Sequence, residues 1–195
     1  MNYPINEIFL SYQGEGFNTG RKCMFIRFSG CNLQCPYCDT EHKKNKILTI
    51  KDIIYEVRQH DCENIVITGG EPTIHDLRPL LYELKRIRKQ IAIETNGTNE
   101  IGDISELLDY VAVSPKEKIG IRHADEVRVL TYHLNKDQII EIGRTIRAKH
   151  YFLSPVDING VFNILETMLL LSQVNDAQEK EWFLSFQTHK LAGIR

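Results

Sequence analysis

Runs of β-branched and aromatic residues alternate along this chain with amphipathic helical patterns, and that alternation limits the folds open to it. CMFIRF (23–28), NIVIT (64–68), IAIET (91–95), YVAVS (110–114), EVRVLT (126–131), HYFLS (150–154) and WFLSF (182–186) read as strands. Several are nearly continuous apolar runs, the pattern of strands covered on both faces. Helices are predicted between them over 50–60, 76–89, 103–109, 135–146 and 159–172. The first opens with Thr49 and Asp52 in a capping pattern, and Ile50, Ile53, Ile54 and Val57 share one face. The second turns Leu77, Leu80, Leu81, Leu84 and Ile87 inward. Strand–helix alternation implies parallel strands with right-handed crossovers. A closed eight-unit barrel takes ~250 residues, and this chain has 195. The expectation is therefore an α/β fold, a partial (open) TIM-like barrel of about six mainly parallel strands with helices outside. With no repeat, low-complexity tract or Pro/Gly-rich linker, residues 1–195 are expected to form a single domain.

A formal charge of -2, with 42% hydrophobic and 26% charged residues, gives no general attraction to nucleic acid or an anionic membrane. Lys85, Arg86, Arg88 and Lys89 read as the solvated face of a helix. The start, MNYPINEIFL, lacks an apolar signal segment, and MLLL at 168–171 is far too short to cross a bilayer. A cytoplasmic protein is expected, without nucleic-acid or membrane partners. Thiols stay reduced there, so clustered cysteines point to metal binding or catalysis rather than disulfides. Cys23 and Cys62 stand apart from the cluster and read as packing residues.

Sites in such folds gather at the C-terminal ends of the strands. Those ends read SGCNLQC, TGGEP, ETNGT, SPK and SPVD, all rich in Gly, Pro or polar residues. The first runs on into GCNLQCPYCDT (30–40), with Cys31, Cys35 and Cys38 but no fourth cysteine. Thiolates hold iron–sulfur clusters, commonly one per iron, so three would leave one iron of a four-iron cluster open. An open position separates a catalytic metal centre from a sealed structural one. His42 offers a rival, a closed Cys₃His zinc site. The loop alone leaves both open; delivery of the cysteines to a strand end favours the first.

The pattern C-x3-C-x2-C, with Tyr37 before its last cysteine, resembles that of the radical S-adenosylmethionine enzymes. In that superfamily the free iron chelates the amino and carboxylate groups of S-adenosylmethionine, and one electron releases a 5′-deoxyadenosyl radical. SYQGEGFNTGRKCMFIRFSGC (11–31), CDT (38–40), ETNGT (94–98), VSPK (113–116) and the terminal QTHKLAGIR (187–195) together resemble the 7-carboxy-7-deazaguanine synthase family across essentially the whole chain. The resemblance implies conversion of 6-carboxy-5,6,7,8-tetrahydropterin to 7-carboxy-7-deazaguanine and ammonia, a step toward queuosine and other deazapurines. It implies hydrogen abstraction at C6 of the pterin, radical ring contraction, return of hydrogen and loss of ammonia. The radical is carried by the cofactor, so no protein group is expected to be catalytic in its own right.

The resemblance also assigns residues. Cys31, Cys35 and Cys38 hold the 4Fe-4S cluster, and Thr40 is the Mg²⁺ ligand. Tyr37, Cys38, Asp39, Gly69, Gly70, Glu71, Gly97, Ser114 and Lys116 border S-adenosylmethionine. Tyr12, Gln13, Gly14, Glu15, Arg27, Thr95, His189 and Arg195 clamp the pterin. The physics agrees: a flat pterin is rich in donors and acceptors that a buried site must match. Arg27 offers a planar fork to the substrate carboxylate. A flavodoxin or ferredoxin as reductant and a homodimer are further implied. Two departures stand out: Tyr12, where relatives commonly have Leu, and SPVD (154–157), where they often have Gln-Pro. His60, His75, His123, His133 and His150 match no motif and read as surface or packing residues. Two rivals share parts of the pattern: an activase that generates a radical on a larger enzyme, and a zinc-stabilised binding module. Neither needs QGEG, Arg27 and QTHK together.

Overall fold

The computed structural model describes residues 1–42, 45–158 and 160–194. The chain opens with a long strand, β1 (Asn2–Tyr12), that turns back into β2 (Lys22–Phe28). The cysteine loop follows, then β3 (Lys46–Thr49) and α1 (Ile50–Arg58). Strands and helices then alternate: β4 (Asn64–Gly69), α2 (Arg78–Arg86), β5 (Gln90–Thr95), β6 (Tyr110–Val113), β7 (Glu126–Leu130), α3 (Lys136–Thr145) and β8 (His150–Ser154). A small hairpin, β9 (Asp157–Ile158) and β10 (Val161–Phe162), leads to α4 (Ile164–Asp176). A short β11 (Phe183–Leu184) and α5 (Thr188–Ala192) end the chain.

Nine strands form one sheet in the order β11-β8-β7-β6-β5-β4-β2-β1-β3. Every pairing from β2 to β11 is parallel, whereas β1 is antiparallel to both β2 and β3. The sheet does not pair its two edges among the described residues, so the barrel is partial and open. β1 and β3 went unread in the sequence because NYPINEIFLSY and KILT mix proline and charges into their apolar pattern. The region 103–109 corrects another expectation, for it forms only a 3-10 turn at Ser105–Leu107. The fourth long helix begins at Ile164 rather than near 159, because the preceding residues are spent on β9 and β10.

Strand alternation sorts the residues. Met24, Ile26, Phe28, Ile65, Ile67, Ile91, Ile93, Val111, Val113, Val127 and Val129 join the main core beneath the helices. Cys23, Phe25 and Val66 form a second, smaller cluster on the opposite face, with Phe9 and Ala92 packed against it. Successive side chains point to opposite faces, so the concave face also receives Arg27, Thr68, Glu94, Glu126 and Arg128. Helices seal the other side. On α2, Leu80, Leu81 and Leu84 are fully buried, each contributing about 1.5–3 kcal/mol through burial. Thr49 and Asp52 form the reciprocal capping box of α1 expected from the sequence, an arrangement that stabilises a helix start by about 1 kcal/mol.

Candidate active site

Two cavities open on the concave face at the C-terminal ends of the parallel strands. The smaller, about 200 Å³, is lined by Cys31, Cys35 and Cys38 together with Tyr37, Gly69, Gly70, Thr95, Ser114 and Lys116. The larger, about 630 Å³, is lined by Gln13, Gly14, Arg27, His189, Phe9 and Phe25. Glu15, Asp39, Thr40, Thr68, Glu94 and Gln187 border both, so the cavities meet at these residues.

The cysteine loop is shaped by its own backbone. The amide of Cys38 donates to the Cys35 carbonyl (3.1 Å), and the Leu33 amide points at Cys31 Sγ (3.5 Å). Burial pushes the Cys31 thiol up, with the Leu33 amide opposing and Glu71, Cys35 and Cys38 adding to the rise. A metal bound there must therefore displace a proton from a reluctant thiol. At Gly70 a side chain would drive into the Gly30 carbonyl and crowd Cys31 Cβ; only glycine lets TGGEP approach the loop this closely. Three thiol ligands on one loop, a backbone cradle and an adjoining cavity suit a thiolate-bound cluster with an open position. Among the described residues, no group of three or more His, Cys, Asp and Glu side chains is gathered around a single point.

Glu71 and Gly97 border neither cavity. The Glu71 carboxylate is fully buried and accepts from the Thr73 amide (3.0 Å), the Thr73 and Thr95 hydroxyls (2.6 and 2.7 Å) and the Asn96 amide (2.6 Å). It braces two neighbouring strand ends. Gly97 does similar work through its carbonyl, which accepts from the amides of Gly120 and Ile121. Thr95, expected at the pterin, sits on the smaller cavity with its hydroxyl given to Glu71. Arg195 lies outside the described residues. Of SPVD, Ser154 is fully buried with an unpartnered hydroxyl, while Val156 and Asp157 reach the smaller cavity.

On the larger cavity, Phe9 and Phe25 stack at 5.1 Å and 9°. Arg27 lies over Phe9 and donates Nε to Glu7 (2.8 Å). The C-terminal segment closes the opposite wall. The Thr188 amide donates to the Gly14 carbonyl (2.9 Å), and a side chain at Gly14 would collide with the His189 ring. Gln187 donates to both Glu15 (2.8 Å) and Asp39 (2.9 Å), and Lys190 donates to Asp39 (2.6 Å). Burial opposes ionisation of Asp39, yet the Lys190 and Gln187 hydrogen bonds hold its carboxyl below the ordinary range. Lys116 packs over Tyr37 and donates to Ser114 (2.9 Å). Burial lowers its pKa against the pull of Cys35, Glu15 and Asp39.

The sequence reading missed a charged floor. Arg128, 8% exposed, donates Nε to Glu126 (2.7 Å) and Nη1 to Glu15 (2.6 Å), and it approaches Glu94 at 3.4 Å. Glu94 also accepts from Gln13 (3.0 Å) and Thr68 (2.9 Å). A signal existed: charged residues two apart in EVRVL point to one face of a strand that is otherwise core. Gln187 and Lys190 were likewise unassigned, although they sit within QTHK.

The family model for the Radical SAM superfamily matches residues 25–152. The chain belongs to that superfamily. It is 46% identical to the 7-carboxy-7-deazaguanine synthase of Haemophilus influenzae, over 99% of this chain and 94% of that protein. The Escherichia coli K12 protein of the same name is 32% identical over the full length of both chains. The crystal structure of QueE from Escherichia coli superposes with a TM-score of 0.75 at 27% identity, covering 95% of this chain and 94% of that one. Within the superfamily, the chain is thus a member of the 7-carboxy-7-deazaguanine synthase family. This membership and the open, mainly parallel sheet both agree with the fold expected from the sequence.

Proposed function

We propose that this protein converts 6-carboxy-5,6,7,8-tetrahydropterin to 7-carboxy-7-deazaguanine with release of ammonia, the step that supplies queuosine and related deazapurines. The observation that carries this reading is the meeting of the two cavities. A three-thiol cavity opens, at Glu15, Asp39 and Thr40, onto a second cavity with aromatic walls and a guanidinium. Cys31, Cys35 and Cys38 would hold a 4Fe-4S cluster, and Tyr37, Gly69, Gly70, Ser114 and Lys116 would border S-adenosylmethionine. When bound, these groups supply a 5′-deoxyadenosyl radical able to take hydrogen from an unactivated carbon.

The chain's own residues bind and orient. Phe9 and Phe25 offer a flat wall for a flat heterocycle. Arg27 donates Nε to Glu7, and the planar fork of its guanidinium suits the substrate carboxylate. Gln13, Glu15 and the backbone of Gly14 match the donor-rich pyrimidine edge, and His189 closes over them. Tyr12 is 53% exposed at the rim, consistent with a contact made through its backbone. Thr40, which borders both cavities, would hold Mg²⁺, an ion that takes few protein ligands and completes its shell with water and substrate. A homodimer reduced by a flavodoxin or ferredoxin in the cytoplasm completes the reading. No helix among the described residues is long and apolar enough to cross a membrane.

The test is anaerobic cluster reconstitution, then incubation with the carboxypterin, S-adenosylmethionine, Mg²⁺ and reductant. Product of the mass of 7-carboxy-7-deazaguanine is expected. An intact, reduced cluster that cleaves S-adenosylmethionine yet leaves the carboxypterin unchanged refutes the reading in favour of an activase. One zinc per chain and no sulfide would instead restore the binding module.

A further inference from the structure

Arg128 is a buried guanidinium paired with three glutamates, and the proposed reaction gives it no part. It projects from β7 onto the concave face, where glutamates from three separate stretches converge on it. The arrangement follows the shape of the guanidinium: Nε is taken by Glu126, Nη1 by Glu15 and Nη2 by Glu94 at 3.5 Å. Glu126 is fixed from behind by the Tyr110 hydroxyl (2.8 Å) and the Phe17 amide (2.9 Å). Arg128 is therefore anchored to an immobile base and holds two carboxylates that border both cavities. Burial works against charge on Glu15, and Arg128, Gln187 and His189 outweigh it, leaving its carboxyl below the ordinary range.

We propose that Arg128 is a positioning residue: through Glu15 and Glu94 it aims two carboxylates at the donor-rich edge of the bound ring. Three carboxylates against one guanidinium leave this floor acidic, which favours N–H groups and disfavours a second anionic substituent. Arg27, on β2, sits apart from this floor and can take the substrate carboxylate. The ligand is thereby oriented by its two unlike ends. A lysine cannot replace this arrangement, because an ammonium lacks the planar fork that spans three partners.

This inference rests on the proposed pterin substrate, so wild-type binding is measured first. If wild-type protein fails to bind the carboxypterin, the function reading and this one both fall. Arg128→Met would leave the glutamates facing one another and is expected to unfold the barrel, so the test uses Arg128→Lys and Glu15→Gln. Carboxypterin affinity is measured by equilibrium titration, and thermal melting confirms that each variant is folded. We expect affinity losses of about tenfold for Arg128→Lys and about 30-fold for Glu15→Gln, in the range of charged hydrogen bonds. The double variant should lose more than Glu15→Gln alone, through Glu94, but less than the product of the two single losses, because residues acting through one another are not additive. Multiplied losses, or wild-type affinity in Arg128→Lys, overturn the proposal. A greater loss of affinity for S-adenosylmethionine than for the pterin overturns it too, since Arg128 would then serve the cofactor.

Discussion

Cys31, Cys35 and Cys38 lie within one loop, Cys31 and Cys35 half-buried and Cys38 exposed, whereas Glu15, Glu94, Glu126 and Arg128 come from three stretches and converge inside the barrel. The loop has a backbone turn of its own, from the Cys38 amide to the Cys35 carbonyl, and leans on Gly70, Asn96 and Thr98 at neighbouring strand ends. Beyond the Glu126–Arg128 pair on β7, the floor has no local geometry of its own, since its other members meet only after strands have paired across the sheet. The difference teaches where each kind of damage should spread. Changes to the loop should remove chemistry and leave the fold; changes to the floor should alter affinity, pH response and stability together.

The largest effect should come from Cys35→Ser. Loss of one of three thiolates is expected to abolish both S-adenosylmethionine cleavage and pterin turnover, with the iron-to-protein ratio and visible absorption falling, while the melting temperature of metal-free protein stays near that of wild type. An unfolded variant would break the contrast, because the loop would then be structural. Next is Arg27→Ala. Removing charged hydrogen bonds should raise the pterin KM by about 10–100-fold, with uncoupled S-adenosylmethionine cleavage largely retained. Equal loss of both activities would mean that Arg27, paired with Glu7, serves the scaffold instead.

The pH response sharpens the contrast further. Glu15 is depressed in the fold despite burial, so its contribution to stability is complete above the ordinary glutamate value of 4.5 and is lost as pH falls through its folded value. Melting temperatures from neutral to acid pH should therefore fall more steeply for wild type than for Glu15→Gln. The opposite order would show that burial wins over Arg128. The smallest effect is expected at the seam between the two regions. The Lys190–Asp39 pair is partly exposed, at 27% and 43%, and such pairs contribute about 0.2–1 kcal/mol. Lys190→Ala should reduce turnover by no more than about fivefold, and a loss as large as that of Cys35→Ser would make this contact essential rather than supportive.

Local pattern carried the reading a long way in particular places. The capping box at Thr49, the buried face of α2 and the parallel strands from 23 onward were all legible, because propensity and periodicity act over a few residues. The helix expected at 103–109 was not, since its short amphipathic pattern yields only a 3-10 turn between β5 and β6. β1 was hidden for a different reason: its order comes from pairing with β2 and β3 on either side, which no local pattern records.

By itself the sequence determined the alternation of elements, the trio of thiols and, through resemblance, the residues expected around the cofactor. Tertiary structure alone decided that Glu71 braces strand ends, that Thr95 turns to Glu71 and that Gln187 bridges Glu15 to Asp39. It also decided that Arg128 gathers three glutamates on the concave face. The physical reason is range. A motif encodes what neighbours in the chain can do, while a buried charge network depends on which strands pair and in what register.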